Sequence, residues 1–341
     1  MKLSVIMPTL NAAKYIKTSL DGLSAQSFKD FELLVVDSGS TDGTVDILRS
    51  YENLTARVID APVCSPALAR NKGIENAIGD YIAFCDSDDR MKPDMLAAMV
   101  GLAVQAGADI AVCDFDMIYP ERIIENFARL STGEFRPLGD GVTDYYYRFG
   151  AAPKPNNYVW ARLYRRGFLT RNAARFPDTR YSEDNLFNLS LLFKTPNIIH
   201  IGRSLYDYVQ YDDSAMRKHI RRTNHGLLFL ETFRNAADIL SGHSENITEP
   251  ILAIYAYTRV KSILFYAWQA GLPEAEIMVA ISMFTVDGSV QKYLAICLDR
   301  DYIGRYCSLH GFSAEYENTV RGMLRACVDN TALPDMSEVF A

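Results

Sequence analysis

The densest chemistry in the chain lies in Tyr81-Ile82-Ala83-Phe84-Cys85-Asp86-Ser87-Asp88-Asp89, where three carboxylates fall within four residues directly after an apolar stretch. Ionised carboxylates this close repel one another unless a cation neutralises them. A hard divalent ion such as Mg2+ or Mn2+ takes oxygen ligands and keeps positions open for phosphate oxygens. A strand ending in Asp-x-Asp therefore points to chemistry on a nucleoside diphosphate. Two plainer readings compete. A calcium loop wants oxygen ligands at alternating positions and glycine at its sixth, whereas Arg90 and Met91 hold the fifth and sixth places here. A polar turn whose carboxylates cap the next helix, expected over 93–107, remains open on this tetrad alone.

The surrounding pattern supplies the elements that must position these groups. Leu3 to Met7 is a short apolar run ending in Pro8-Thr9-Leu10-Asn11, and a helical pattern follows from Ala12 to Gln26. Phe31 to Val36 is continuously apolar after Glu32. It stops at the turn-rich loop 37–44, which opens with Asp37 and leads into a helix around Val45 to Tyr51. Thr55 to Ile59 reads as a third strand, Arg70 to Gly73 as part of a helix closing near Gly79, and Asp80 to Phe84 as a fourth strand. Alternating strands and helices with near-continuous apolar strands indicate a parallel sheet, and such sheets bind ligands at the carboxyl ends of their strands. Thr9, Asp37 and Asp86 would then share one rim.

These residues carry a resemblance. The strings SVIMPTLNAAKYIKTSLDGLSAQSFKDFELLVVDSGSTDGT and ALARNKGIENAIGDYIAFCDSDD resemble the nucleotide-sugar-binding half of the inverting glycosyltransferases of family 2, of the bacterial surface-polysaccharide type. The likeness resumes at VWARLYRRGFL and YSEDNLF and reaches about Ser214. It implies an α/β GT-A fold, Rossmann-like, with a mostly parallel sheet flanked by helices and a C-terminal helical region. The expected domains are 1–220, catalytic, and 221–341, mainly helical.

The resemblance also implies roles for particular positions. Pro8 and Thr9 would hold the uracil or ribose by main-chain contacts. Asp37 would accept from the uracil N3–H, which cytosine lacks. Arg70 would stand near the base and phosphates, although a surface helix residue is the plainer alternative. Asp86 would approach the ribose, and Asp88 would bind the Mn2+ or Mg2+ that carries charge on the leaving diphosphate, with Asp89 as a further ligand or acceptor behind it. Asp184 would be the base that deprotonates an acceptor hydroxyl, with Glu183 as the alternative base or an acceptor ligand. A pair of acids capping the helix 185–193 is compatible with that role. Trp160 would line the sugar and acceptor site or sit in the core. The chain departs from the common family pattern at Ser38, where a second Asp often follows the first, and at Arg162, where Lys is frequent.

Leu205-Tyr206-Asp207-Tyr208 with Ser214 and Met216 also looks like the strand and loop that follow the base. The basic group Arg217, Lys218, His219, Arg221 and Arg222 comes next. It would close over a diphosphate, touch anionic headgroups, or simply begin a solvated helix.

With 341 residues, 49% of them hydrophobic, the chain has enough material for one catalytic domain and a smaller helical one. A net charge of −7 argues against nucleic acid as the main partner. Six scattered cysteines without metal-ligand spacing suit reduced thiols. A strand so near the first residue leaves no signal-peptide pattern, so the expected location is the cytoplasm, with peripheral contact at the inner face of the membrane. From His225 onward the chain reads as helices over 225–241, 249–270 and 273–284 and beyond. Ile251 to Leu272 is the one membrane candidate, but Arg259 and Lys261 at its middle make it a buried or interfacial helix. Its aromatic residues favour an interdomain or homodimer contact over a bilayer.

A sugar nucleotidyltransferase would show a Gly-rich phosphate loop after its first strand, and a dinucleotide-dependent oxidoreductase a G-x-G-x-x-G turn; neither is present. The expectation is an inverting, metal-dependent hexosyl- or N-acetylhexosaminyl-transferase. It would move a sugar from a UDP-sugar to a hydroxyl of a glycan or lipid-linked glycan in cell-surface polysaccharide synthesis. The alternative is a non-catalytic sugar-nucleotide-binding scaffold of the same fold.

Overall fold

The computed structural model describes residues 2–179, 181–211 and 225–336. The chain divides into two compact units, one of 1–137 with 156–211 and one of 138–155 with 212–341.

In the first unit β1 (Leu3–Thr9), β2 (Phe31–Asp37), β3 (Ala56–Asp60) and β4 (Tyr81–Phe84) run parallel in the order β3-β2-β1-β4. Helices α1 (Ile16–Ser24), α2 (Thr44–Ser50) and α3 (Pro66–Asn76) return the chain between them. The register sets Thr9 beside Asp37, so the polar ends of β1 and β2 finish level. Apolar side chains on both faces of β1, β2 and β4 are buried, which is why these strands read as near-continuous hydrophobic runs, whereas β3 at the edge is half-exposed. At Gly73 on α3 a Cβ would stand 2.3 Å from the Ile6 side chain, so only glycine lets this helix lie so close to β1.

The sheet continues through β9 (Arg162–Arg165), β6 (Ile110–Ile118), β10 (Ile198–Val209) and β5 (Arg90–Met91). β10 is parallel to β6, whereas β9 is antiparallel to both β4 and β6. β7 (Ile123–Ile124) and β8 (Gly133–Phe135) pair off β6 and β10. α4 (Met95–Gln105), α6 (Arg166–Arg171) and α7 (Glu183–Leu192) complete the unit. One core cluster joins Val5 and Met7, Leu33 and Val35, Ile16 and Leu20, Met95 and Met99, and Trp160. Burial of each large apolar side chain is worth roughly 1.5–3 kcal/mol.

The second unit contains α5 (Asp140–Tyr145), prolonged by a π turn over Tyr146–Gly150, and six further described helices. These are α8 (His225–Leu240), α9 (Glu245–Gln269), α10 (Glu274–Thr285), α11 (Gly288–Asp299), α12 (Tyr302–His310) and α13 (Ala314–Asp329). Residues 138–155 group with these helices through hydrogen bonds: the Tyr147 hydroxyl donates to Pro250 O at 3.2 Å and Tyr306 to Ala151 O at 2.9 Å. Tyr145, Tyr146 and Tyr147 are therefore core of this unit.

Among the described residues no helix is long and apolar enough to cross a membrane. Residues 251–257 are buried within the unit, and the Arg259 guanidinium lies over the rings of Tyr255 and Phe229. All six cysteines are free, with Cys64 alone half-buried and the others buried.

Candidate active site

The rim of the first unit is built by loops that hold one another. Asn11 takes the Thr41 N–H on its side-chain oxygen and donates its own N–H to the Ser40 hydroxyl, both at 2.8 Å. Asp42 accepts from Ala13 N–H, and Thr44 Oγ1 accepts from Ala12 N–H. The loops after β1 and β2 thus form one body. Within it Pro8 is half-buried and Thr9 buried. The Thr9 carbonyl accepts from Ser38 N–H at 2.9 Å, while its hydroxyl has no hydrogen-bond partner among the described residues.

Asp37 is buried and organised by its own turn. Its Oδ2 accepts from the N–H groups of Gly39 and Ser40, and its Oδ1 from the Ser40 hydroxyl at 2.5 Å. Gly39, at φ +86°, supplies the left-handed backbone the turn requires. A carboxylate offers about four lone-pair positions, so Oδ1 retains capacity for one more donor. Ser38 lies against Cys64, with Oγ and Sγ 3.3 Å apart.

Arg70 on α3 is the centre of the arrangement. Its side chain is only 5% exposed. One guanidinium nitrogen donates to Asp86 Oδ1 at 2.9 Å; the other donates to Glu183 Oε1 at 2.9 Å and stands 3.3 Å from Asp184 Oδ1. Burial opposes the charge, but Asp184, Asp86 and Glu183 together hold Arg70 protonated more firmly than a free arginine. Its Nε has no hydrogen-bond partner among the described residues. The fork expected near a base or diphosphate is therefore turned onto three carboxylates.

Asp184 is half-buried at the start of α7. Its Oδ2 accepts from Val159 N–H at 3.1 Å, and its Oδ1 is close to Arg70 yet makes no hydrogen bond among the described residues. Burial, reinforced by the charges of Glu183 and Asp86 and opposed by Arg70, pushes its carboxyl up to about 7. A carboxylate whose affinity for protons is raised toward neutral pH is suited to general-base work.

The three carboxylates after β4 diverge. Asp86 and Asp88 are half-buried at the turn. Asp89 is 1% exposed; its Oδ2 accepts from the Tyr206 hydroxyl at 3.0 Å and its Oδ1 from Val209 N–H at 2.8 Å. The same Tyr206 oxygen accepts from Asp86 N–H, so Asp89 braces the turn from below. Of the two roles expected for Asp89, further ligand or acceptor behind the ligand, these bonds are those of the second. Burial, and then the charges of Asp88 and Asp86, raise the Asp89 carboxyl well above the carboxylate range.

Trp160 takes the second of its two expected places, the core. It is 2% exposed and stacked between Tyr158 and Tyr206 at 4.6 and 4.4 Å, with the edge of Phe115 at 4.8 Å. This aromatic stack is core, and the indole has no face left for a sugar. Ser214, Met216 and the basic residues 217–222 lie outside the described residues.

Several residues that hold the site had no signal in the sequence. Asn71 makes a two-way pairing with the Phe176 backbone, donating to its carbonyl and accepting its N–H at 2.9 and 2.8 Å. The Ser65 hydroxyl, which caps α3 through Leu68 N–H, donates to Asp178 at 3.0 Å. Tyr206 and the Val159 N–H also hold the site; both lie in stretches the sequence singled out, which gave no sign of these roles. Each is one polar group among many in the chain, and only the fold brings it to its partner.

With this geometry in hand, comparison with known proteins is informative. Residues 4–171 match the family model described as Glycosyl transferase family 2. The uncharacterised glycosyltransferase YibD of Escherichia coli K12 is 28% identical over 254 residues, 74% of this chain and 73% of YibD. Poly(ribitol-phosphate) beta-N-acetylglucosaminyltransferase TarS of Staphylococcus aureus Mu50 is 26% identical over 214 residues, 61% of this chain and 35% of TarS. The crystal structure of S. aureus TarS 1–349 in complex with UDP-GlcNAc superposes with a TM-score of 0.68 and 22% identity, covering 97% of this chain and 93% of that one. The mannosyltransferase PcManGT of Pyrobaculum calidifontis, in complex with GDP-Man and Mn2+, superposes with a TM-score of 0.54 and 19% identity, covering 96% and 86%. At these identities the structural likeness speaks for the fold, which is GT-A.

Proposed function

The chain belongs to glycosyl transferase family 2, and from that premise we propose that it transfers a sugar from a UDP-sugar onto a hydroxyl of a glycan or lipid-linked glycan of the cell surface, with inversion. The observation that carries this reading is the single buried guanidinium of Arg70, which joins Asp86 at the end of β4 to Glu183 and Asp184 at the start of α7. A donor-side carboxylate and a candidate base are thereby held within one cluster.

Pro8, Thr9 and Asp37 form the rim expected to receive the nucleoside. The spare acceptor capacity of Asp37 Oδ1 suits an imide N–H, the feature that separates uracil from cytosine. TarS, which shares the fold, binds UDP and UDP-GlcNAc. The relatives named for teichuronic acid and poly(ribitol-phosphate) synthesis support a surface-glycan acceptor.

The residues present fit a divalent cation. The charges of Asp88 and Asp86 both act on Asp89, and a cation at this turn would relieve that accumulation of negative charge. Among the described residues no group of three or more His, Cys, Asp or Glu side chains could hold a metal ion by itself. Asp88 is the residue that would hold the ion, and the ion's contribution is positive charge at the departing diphosphate.

Asp184 accepts the proton of the acceptor hydroxyl. The hydroxyl oxygen bonds to the anomeric carbon as that carbon's bond to the phosphate oxygen breaks, and UDP leaves with the electron pair. Attack opposite the leaving group inverts the anomeric configuration.

Asp184→Asn tests this. The amide cannot take a proton, so turnover should fall on the order of 10²-fold or more while UDP binding is kept. In the unaltered enzyme turnover should rise with pH through about 7, because only the ionised Asp184 is a base. Near-normal turnover in the variant would move the role to Glu183. UDP binding with no transfer to any acceptor by the unaltered protein would favour the scaffold alternative.

A further inference from the structure

We propose that Arg70 is a positioning residue for the catalytic base, locking the start of α7 onto α3 and the end of β4, rather than a ligand of the nucleotide. The inference rests on the reading of Asp184 as base. Its first support is the direction of the guanidinium, which spends its two terminal nitrogens on Asp86, Glu183 and Asp184 from within a buried site. Arg70 also lies over the ring of Phe176 at 5.7 Å, and Phe176 stacks on Phe187 of α7 at 3.9 Å, with planes 6° apart.

The second support is how α3 and the approach to α7 are joined. Ser65 at the start of α3 holds Asp178, Asn71 clasps the Phe176 backbone, and Arg70 between them takes the two acids that open α7. α3 itself is seated on β1 by the close approach at Gly73. These attachments run from the sheet to the base through one helix. The N-cap residue of α7, Ser182, has φ +61°, and Arg70 holds the two acids of the first turn that follows.

Electrostatics give the arrangement a readable consequence. The groups facing Asp184 are Arg70 on α3, Glu183 on α7, Asp86 after β4, and the buried Tyr164 on β9, beside the Val159 N–H. Among the described residues Arg70 is the cation of this set, so its loss leaves three acids, Asp86, Glu183 and Asp184, without it.

The experiment is a set of turnover–pH profiles with UDP titrations, on the full chain with Mn2+, for Arg70→Met, Arg70→Lys and Asn71→Ala. Arg70→Met should move the limb near pH 7 upward by about 1–3 units, the range over which an adjacent arginine acts on a carboxyl, while UDP affinity stays unchanged. Arg70→Lys should bring the limb partway back with turnover still reduced, since an ammonium keeps the charge but not the fork. Asn71→Ala loosens the same loop without removing charge, so turnover should fall and the limb stay in place. A weakened UDP affinity in Arg70→Lys with an unmoved limb would overturn the proposal in favour of a nucleotide contact, and lost turnover with both unmoved would leave a merely structural role, overturning it as well. If instead Asp184→Asn is active, the base assignment fails first, whatever Arg70 does.

Discussion

The chain carries the triplet Asp-x-Asp twice in one sheet, as Asp86-Ser87-Asp88 just past the end of β4 and as Asp114-Phe115-Asp116 inside β6. The first pair is half-buried at the rim, and Asp86 takes Arg70 as its partner. The second pair is buried and consumed by the fold. Asp114 accepts from the N–H groups of Phe115, Ala128 and Leu130, and Asp116 from Asn126 N–H and the Lys92 ammonium. Burial works against the charge of Asp116, but the bonds from Lys92, Ser204 and Asn126 outweigh it and hold the carboxyl below its ordinary range. Asp207 on β10 joins the network through Arg90 and Lys92. The lesson is that a carboxylate pair becomes available to a ligand when its strand ends before it, and becomes a clamp for neighbouring backbone when the strand runs on through it.

Three substitutions probe this contrast. The largest effect is expected from Asp88→Ala, which should cost about 4 kcal/mol of transition-state stabilisation, close to three decades in turnover, with stability unchanged. Calorimetry with UDP should lose its Mn2+ dependence, and an unchanged dependence would erase the distinction between the two triplets. Asp114→Ala should do the reverse. It strands buried N–H groups of Phe115, Ala128 and Leu130, so denaturant unfolding should register a loss of about 3 kcal/mol, while turnover per folded molecule stays the same. A fall in turnover without a fall in stability would assign the second triplet to the site. The smallest effect is expected at Asp89, the acid that shares the sequence run of the first triplet but the burial of the second. Asp89→Asn keeps one acceptor oxygen for two donors, so either the Tyr206 hydroxyl or the Val209 N–H loses its acceptor, for about 1 kcal/mol of stability, and the Mn2+ dependence should stay intact. Loss of that dependence would return Asp89 to the metal.

Much of the first unit was legible because its signals are local. Four apolar runs bounded by polar turns place β1 to β4, and each loop's position after a strand puts Thr9, Asp37 and Asp86 on one rim. β9 is different. Its four residues follow a buried Trp in a segment with no alternation, and their antiparallel place between β4 and β6 depends on pairing partners far away in the chain. The Tyr145-Tyr146-Tyr147 run likewise has no intrinsic address, and its hydrogen bonds to the helical unit decide it.

By itself the sequence determined an α/β chain that resembles glycosyl transferase family 2, with an acidic cluster off β4 and an acid pair opening α7, because hydrophobic runs and short motifs are properties of neighbouring residues. Only the tertiary structure decided that Asp89 braces a turn, that Trp160 is core, and that Arg70 faces acids instead of open rim. Those outcomes follow from burial. A buried charge or hydroxyl adopts whichever partner the fold delivers, and that partner is separated from Arg70 by 113 residues in the case of Glu183.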